Sequence, residues 1–151
     1  MINRMDDTIF RMIELKAGGY CCSQILLILA LEAQGKTNAD LVRSMAGLCF
    51  GMNSGEVCGA MSGGACLISL YAGKGADTEE PDDRYLLMAG ELADWFGTAA
   101  AEYGGTRCDD ILDKWPDRSI CSRIVADTYE KCIDILVSHG FDPASGKGGI
   151  G

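Results

Sequence analysis

The chain has 151 residues, enough for one domain with a sizeable core. Its 13 lysines and arginines stand against 22 aspartates and glutamates, a formal net charge of −9. An acidic chain with no basic run and no interleaved aromatic patch argues against nucleic acid and anionic membrane surfaces as partners.

Residues 3–17 read as an amphipathic helix in which Met5, Ile9, Met12, Ile13 and Lys16 keep helical spacing. Gly18-Gly19 ends it. The stretch YCCSQILLILALEAQG predicts a second helix, wholly apolar from Ile25 to Leu31, with Cys21, Cys22 and Ser23 at its start. Gly35 to Asn38 is a turn, and Thr37 or Asn38 caps a third helix over residues 39–49. Leu41, Val42, Met45 and Leu48 form its apolar face. Gly51-Met52-Asn53-Ser54-Gly55 matches no phosphate-binding pattern, and a tight interhelical turn is favoured there over a ligand loop.

GEVCGAMSGGACLISLYAG carries no charge after Glu56 and predicts a helix over residues 57–72 that is buried on all sides. Gly59, Gly63 and Gly64 each weaken it by about 1 kcal/mol against alanine. Gly59 and Gly63, one turn apart, leave a groove for a second backbone, and packing there must offset the cost. Pro81 is placed in the first turn of a fifth helix, with Asp82 and Asp83 near its positive end. Tyr85, Met88, Ala89, Leu92, Phe96, Ala99 and Tyr103 mark its buried face. A short turn, CDDILDKW, precedes Pro116. The last helix, from about Arg118 to Ser138, buries Cys121, Ile124, Val125, Thr128, Cys132, Ile135 and Leu136. The class is all-α, a compact bundle of about six helices around the central one. Residues 1–141 form one domain, and residues 142–151 read as a glycine-rich flexible tail.

The eight cysteines make up about 5% of the chain, below the roughly 8–10% of a disulfide scaffold. MINRMDDTIF lacks the apolar run of a signal peptide. The expected location is therefore cytoplasmic, where thiols stay reduced unless they bind metal or do redox work. No stretch is long and apolar enough to span a membrane. Four cysteines share a position type: Cys22, Cys58, Cys108 and Cys121 each open a predicted helix. There backbone N–H groups are unsatisfied and the dipole end is positive, which favours anionic sulfur. Brought together, the four would suit interacting redox thiols or a thiolate-bound metal or iron–sulfur cluster. There is no CxxC knuckle, no CxxCH haem motif and no ferredoxin run. Cys66 and Cys132 fall mid-helix on apolar faces and read as core packing. Cys49 closes the third helix, and Cys21 is a neighbour able to substitute for Cys22.

The order YCCSQ, GEVCGAMSGG, RCDDIL, SICSRIV resembles the redox-active protein family named from its cysteine pattern, C_GCAxxG_C_C. The resemblance covers roughly residues 5–138, and CGAMSGG is its most specific part. The family's cysteines fall on Cys22, Cys58, Cys108 and Cys121. It implies a small helical redox domain. Similar domains accompany haem in split-Soret cytochromes, where an iron–sulfur cluster is associated with the cysteines. With no haem motif here, only the cluster or thiol part carries over. The chain departs from the family in its four extra cysteines and in Cys49-Phe50, where relatives tend to have glycine.

Other candidates are weaker. His139 sits at a helix end, where it is expected to meet the last carbonyls rather than act as a base. Glu56 is a candidate for proton transfer near Cys58, and Arg107 for stabilising a Cys108 thiolate. The leading expectation is a cytosolic redox protein that holds an iron–sulfur cluster or other metal on Cys22, Cys58, Cys108 and Cys121 and exchanges electrons with a partner. One alternative is metal-free thiol–disulfide exchange with Cys58 as nucleophile, acidic if its sulfur is partly open to water. The other is a helical interaction module, a homodimer with packing cysteines.

Overall fold

The structure, a computed structural model, describes residues 4–146, with seven α-helices among them. These are α1 (Arg4–Ala17), α2 (Cys22–Ala33), α3 (Ala39–Met45), α4 (Gly59–Ala72), α5 (Tyr85–Tyr103), α6 (Cys108–Lys114) and α7 (Cys121–Ser138). The all-α class holds, and the segment read as one short turn of helix is α6, seven residues long. Among the described residues β-pairing is limited to one isolated antiparallel bridge, Val57 with Arg107.

α4 is the axis of the bundle, packed against α2, α5 and α7. Leu67, Ile68, Tyr71 and Ala72 are fully buried along it, and Leu26, Met88, Leu92, Phe96 and Leu136 close round them. The Tyr71 hydroxyl donates to the Pro143 carbonyl at 2.8 Å. That bond, with Ser145 Oγ on the Asp142 carboxylate at 3.0 Å, ties down the described part of the predicted tail. Residues 147–151 of that tail, residue 3 of the first predicted helix and the Met5 side chain lie outside the described residues.

Several element ends differ from the sequence reading, each for a local reason. α3 begins as expected, Asn38 Oδ1 accepting from the Leu41 N–H at 3.1 Å, but stops at Met45 and tightens into a 3₁₀ turn, Ala46–Leu48. α5 starts at Tyr85, not at Pro81. Asp82 accepts from the Arg84 N–H at 2.9 Å and pairs with its guanidinium, while the Asp82 N–H bonds to the Ala72 carbonyl at 2.8 Å. The acid expected inside the helix is thus used to fold the chain back onto α4. On α1 the buried residues are Met12 and Leu15, whereas Ile9 and Ile13 are 39% and 58% exposed.

The glycines of α4 do what their spacing suggests. A Cβ on Gly63 would lie 2.7 Å from Ser23 Cα, so the backbones of α2 and α4 touch there. A Cβ on Gly64 would meet Leu92 and Thr128, each at 3.0 Å. By contrast, nothing lies within 4 Å of a Cβ on Gly97 of α5. Alanine at Gly63 gains helix propensity but overpacks against backbone that cannot swing aside, at a cost of about 1–3 kcal/mol. Gly63→Ala is therefore expected to lower the unfolding free energy measured in urea. Gly97→Ala should raise it by about 1 kcal/mol. Equal effects of the two substitutions would refute the close-contact reading.

Candidate functional site

Four helix N-termini meet at one cavity of about 620 Å³. Cys22, Cys108 and Cys121 are the first residues of α2, α6 and α7, and Cys58 is the N-cap of α4. All four line the cavity, whose remaining wall is mostly apolar, with Met12, Ile25 and Ile111 among its residues.

Two devices position the thiols. The first is a backbone clip around the Val57–Arg107 bridge: the Cys58 N–H donates to the Thr106 carbonyl at 2.9 Å and the Cys108 N–H to the Glu56 carbonyl at 2.7 Å. Alternate residues of an extended pair face the same side, so Cys58 and Cys108 sit diagonally on one face of the clip. The Glu56 carboxylate and Arg107 guanidinium pair across it at 3.3 Å. Both are about half exposed, so the pair adds little stability. It also engages the two groups singled out for proton transfer and thiolate stabilisation. The second device is the α2–α4 contact at Gly63, which sets Cys22 beside the start of α4: its Cβ lies 3.7 Å from a Cβ placed on Gly59.

Burial dominates the chemistry of these thiols. Cys58 is only 7% exposed. Desolvation pushes its pKa up to about 11 against the opposing pull of the Ala60 and Met61 N–H groups. No cap hydrogen bond to the sulfur of good geometry offsets it. The condition for an acidic Cys58, a sulfur partly open to water, is not met. Cys22 is pushed up to about 12, by burial first and then by the neighbouring Cys58, Cys121 and Cys108. That mutual influence is the electrostatic sign of four thiols sharing one space. Cys108 and Cys121 are also raised by burial, but Arg118 pulls both down and Lys16 helps at Cys121. Thiolate character is therefore best supported on the α6–α7 side.

Phe50, singled out in the sequence as a departure from its relatives, forms part of the wall together with Arg118, which no sequence signal marked. The Arg118 guanidinium lies over the Phe50 ring, 4.7 Å from its centroid, and both line the cavity. Arg118 has φ +62°, and Phe50, Met52 and Asn53 have φ between +53° and +58°. Left-handed conformations in non-glycine residues cost about 1–3 kcal/mol each at strained sites. The glycine-containing turn is thus wider than a tight interhelical turn, closed by the Glu56 N–H on the Gly51 carbonyl at 3.1 Å. No propensity rule marks Phe50 or Arg118 for such backbone.

Cys21 and Cys49 form a disulfide with Cα atoms 5.9 Å apart. Cys21 therefore does not stand in for Cys22. Cys132 is fully buried, its S–H donating to the Gly64 carbonyl at 3.6 Å, and Cys66 packs beside Leu27, Leu31 and Met45. His139 meets the helix-end carbonyls through its backbone N–H, on Ile135 and Leu136 at 3.2 Å each, while its ring Nε2 bonds Glu91 at 2.7 Å. Among the described residues, no three or more His, Cys, Asp or Glu side chains form a group that could hold a metal ion. No described helix is long and apolar enough to cross a membrane.

A family model described as "Putative redox-active protein (C_GCAxxG_C_C)" matches residues 20–135. No curated protein and no solved structure matches the chain.

The raised thiol values set a stability profile for the metal-free protein. Cys22, Cys58 and Cys132 titrate at about 12, about 11 and about 12 in the fold, against an ordinary 9.0. The folded state keeps these protons where the unfolded chain loses them. Their stabilisation is full below pH 9.0 and is lost as pH rises from there through the folded values. The urea-unfolding free energy should therefore fall above about pH 9, by up to about 1.4 kcal/mol per pH unit for each thiol. Cys132→Ala, though less stable at neutral pH, should show a shallower fall. A flat profile between about pH 8 and about pH 10 would contradict the burial argument.

Proposed function

The chain belongs to the C_GCAxxG_C_C family, and from that premise we propose that it is a small redox protein whose cavity cysteines hold an iron–sulfur cluster or another thiophilic metal centre for electron transfer. The observation that carries this reading is the convergence of Cys22, Cys58, Cys108 and Cys121 on one largely apolar cavity. Four thiols are the common ligand set of such clusters. Burial keeps Cys22 and Cys58 protonated and makes them poor free nucleophiles, whereas a bound metal deprotonates a coordinating thiol outright. A single tetrahedral ion, with metal–sulfur bonds of about 2.3 Å, would need the four sulfurs closely grouped. No such group stands among the described residues. A cluster, which interposes its own sulfides between the ligands, would ask for a wider grouping than a lone ion.

When bound, such a centre supplies one-electron transfer. The chain's own residues provide the rest. The Ala60 and Met61 N–H groups face the Cys58 sulfur, Arg118 offsets negative charge beside Cys108 and Cys121, and the apolar wall limits water. A cytoplasmic location and a separate redox partner belong to the same reading.

A second reading, metal-free thiol–disulfide exchange, is favoured by the effect of Arg118 on Cys108 and Cys121. In it one of those two, rather than Cys58, is the attacking thiol.

Protein purified without oxygen should be brown and contain iron and labile sulfide. Cys58→Ser should abolish that content while the helical circular dichroism persists. Cys66→Ala should retain it and lose on the order of 1 kcal/mol of stability. A colourless, metal-free protein whose cavity thiols titrate as a redox couple would move the assignment to exchange. Inert thiols with no metal would reduce the cysteines to packing, as in an interaction module.

A further inference from the structure

Cys21 and Cys49 lie outside the four-cysteine set, yet their disulfide borders the same cavity through Cys21. Both residues are half-buried, so a thiol can reach the sulfurs. Behind them lies Ser23, fully buried, whose hydroxyl donates to the Met45 carbonyl at 2.8 Å. Its lone pairs are left facing Cys21 Sγ at 3.3 Å and Cys49 Sγ at 3.7 Å. A disulfide sulfur has no proton to give to that oxygen, whereas a thiol has. Ser23 is therefore placed to accept a hydrogen bond from the reduced pair that the oxidised pair does not supply.

The disulfide also anchors a strained segment. Cys49 leads directly into Phe50, Met52 and Asn53, all left-handed, and Phe50 forms part of the cavity wall beneath Arg118. Such backbone persists only where its surroundings hold it. The far end is held by the clip at Glu56 and Val57, and the near end by Cys49.

We propose that Cys21–Cys49 is a reversible redox site for a dithiol reductant, and that its reduction releases the Phe50–Gly55 loop at the edge of the cysteine cavity. The reductant's thiolate attacks one sulfur of the pair, the S–S bond breaks and a mixed disulfide forms. The reductant's second thiol then resolves it. Two electrons and two protons pass to the protein, Cys21 and Cys49 become thiols, and the reductant leaves as its disulfide. Ser23 accepts a hydrogen bond from one of the new S–H groups.

The test equilibrates the full chain in buffers of stepped reduced-to-oxidised dithiothreitol ratio. Mass spectrometry reads the state of Cys21 and Cys49, and hydrogen exchange reads the amides of residues 50–56. The pair should interconvert across the series. In the reduced protein the loop amides should exchange about tenfold faster, with those of α5 and α7 unchanged. Cys49→Ser should exchange fast in every buffer, and if it does not fold, the reduced wild type supplies the same reading. Cys108→Ser/Cys121→Ser, which disables the four-thiol site, should keep the full redox-dependent change, so failure of the cavity's proposed function leaves this result standing. A pair that stays oxidised or stays reduced in every buffer, or loop exchange indifferent to its reduction, would overturn the proposal.

Discussion

The contact between α2 and α4 at Gly63 is the constraint on which the rest of the site depends. With Ser23 Cα only 2.7 Å from where a Cβ would sit, the two backbones are in direct contact and leave no room for a side chain. That approach fixes three consecutive residues. Cys22 turns to the cavity, Ser23 is buried against Met45, and Cys21 is left at the rim within reach of Cys49. Gly64, on the next residue, lets α5 and α7 close from the other side through Leu92 and Thr128. The stripe of small residues is thus a packing device that also aims sulfur atoms. A helix richer in alanine would be intrinsically more stable, but it would hold α2 away and break up the four-thiol arrangement.

Around those thiols two effects of similar kind and opposite sign meet. Helix N-termini favour anionic sulfur, and burial favours neutral sulfur. In the metal-free protein burial wins at Cys22 and Cys58, while at Cys108 and Cys121 the cation of Arg118 narrows the gap. The same features act differently once a metal supplies the positive charge. The desolvation that penalised a free thiolate then strengthens its bond to the metal, and the N–H groups at the helix ends become donors to coordinated sulfur.

Much of this was legible in the residues because the signals were local. Cys22 and Cys58 precede apolar runs, and Cys108 and Cys121 follow glycine or proline breaks, so the sequence marks all four as helix starts without the tertiary fold. The glycine spacing of α4 announced a close approach, though not that Ser23 would be the partner. What escaped depends on contacts between distant segments. The Asp82–Arg84 turn displaces the start of α5 because its carboxylate is used by a guanidinium, which propensity does not see. Phe50 takes left-handed backbone in a segment whose ends the disulfide and the clip hold, and Arg118 does so in the turn between α6 and α7, its N–H on the Trp115 carbonyl and its own carbonyl accepting from the Cys121 N–H, each against its own preference. Cys21 and Cys49, 28 residues apart, have no spacing rule that pairs them. Ile9 and Ile13 kept helical periodicity yet lie at the cavity's edge rather than in the core, since periodicity gives a face and not what covers it.

The four cavity cysteines come from four separate helices, with no CxxC pair among them. A knuckle of two nearby cysteines can bind metal before the chain has folded, whereas this arrangement exists only once α2, α4, α6 and α7 are in place. Anything bound there stabilises the folded state alone, by an amount that grows with its concentration over its dissociation constant. Loading and folding are then linked, and an isolated α4 or α2–α4 hairpin would hold nothing. The Val57–Arg107 clip makes the linkage local as well: it carries Cys58 and Cys108 on one two-residue bridge, so loss of that bridge separates two of the four sulfurs while leaving the α2–α4 core intact. Cys22 and Cys58 are thus set by the Gly63 contact, and Cys108 by the clip at the start of α6. The two cavity thiols that the Arg118 cation pulls down, Cys108 and Cys121, lie on the side of the loop that the Cys21–Cys49 disulfide tethers.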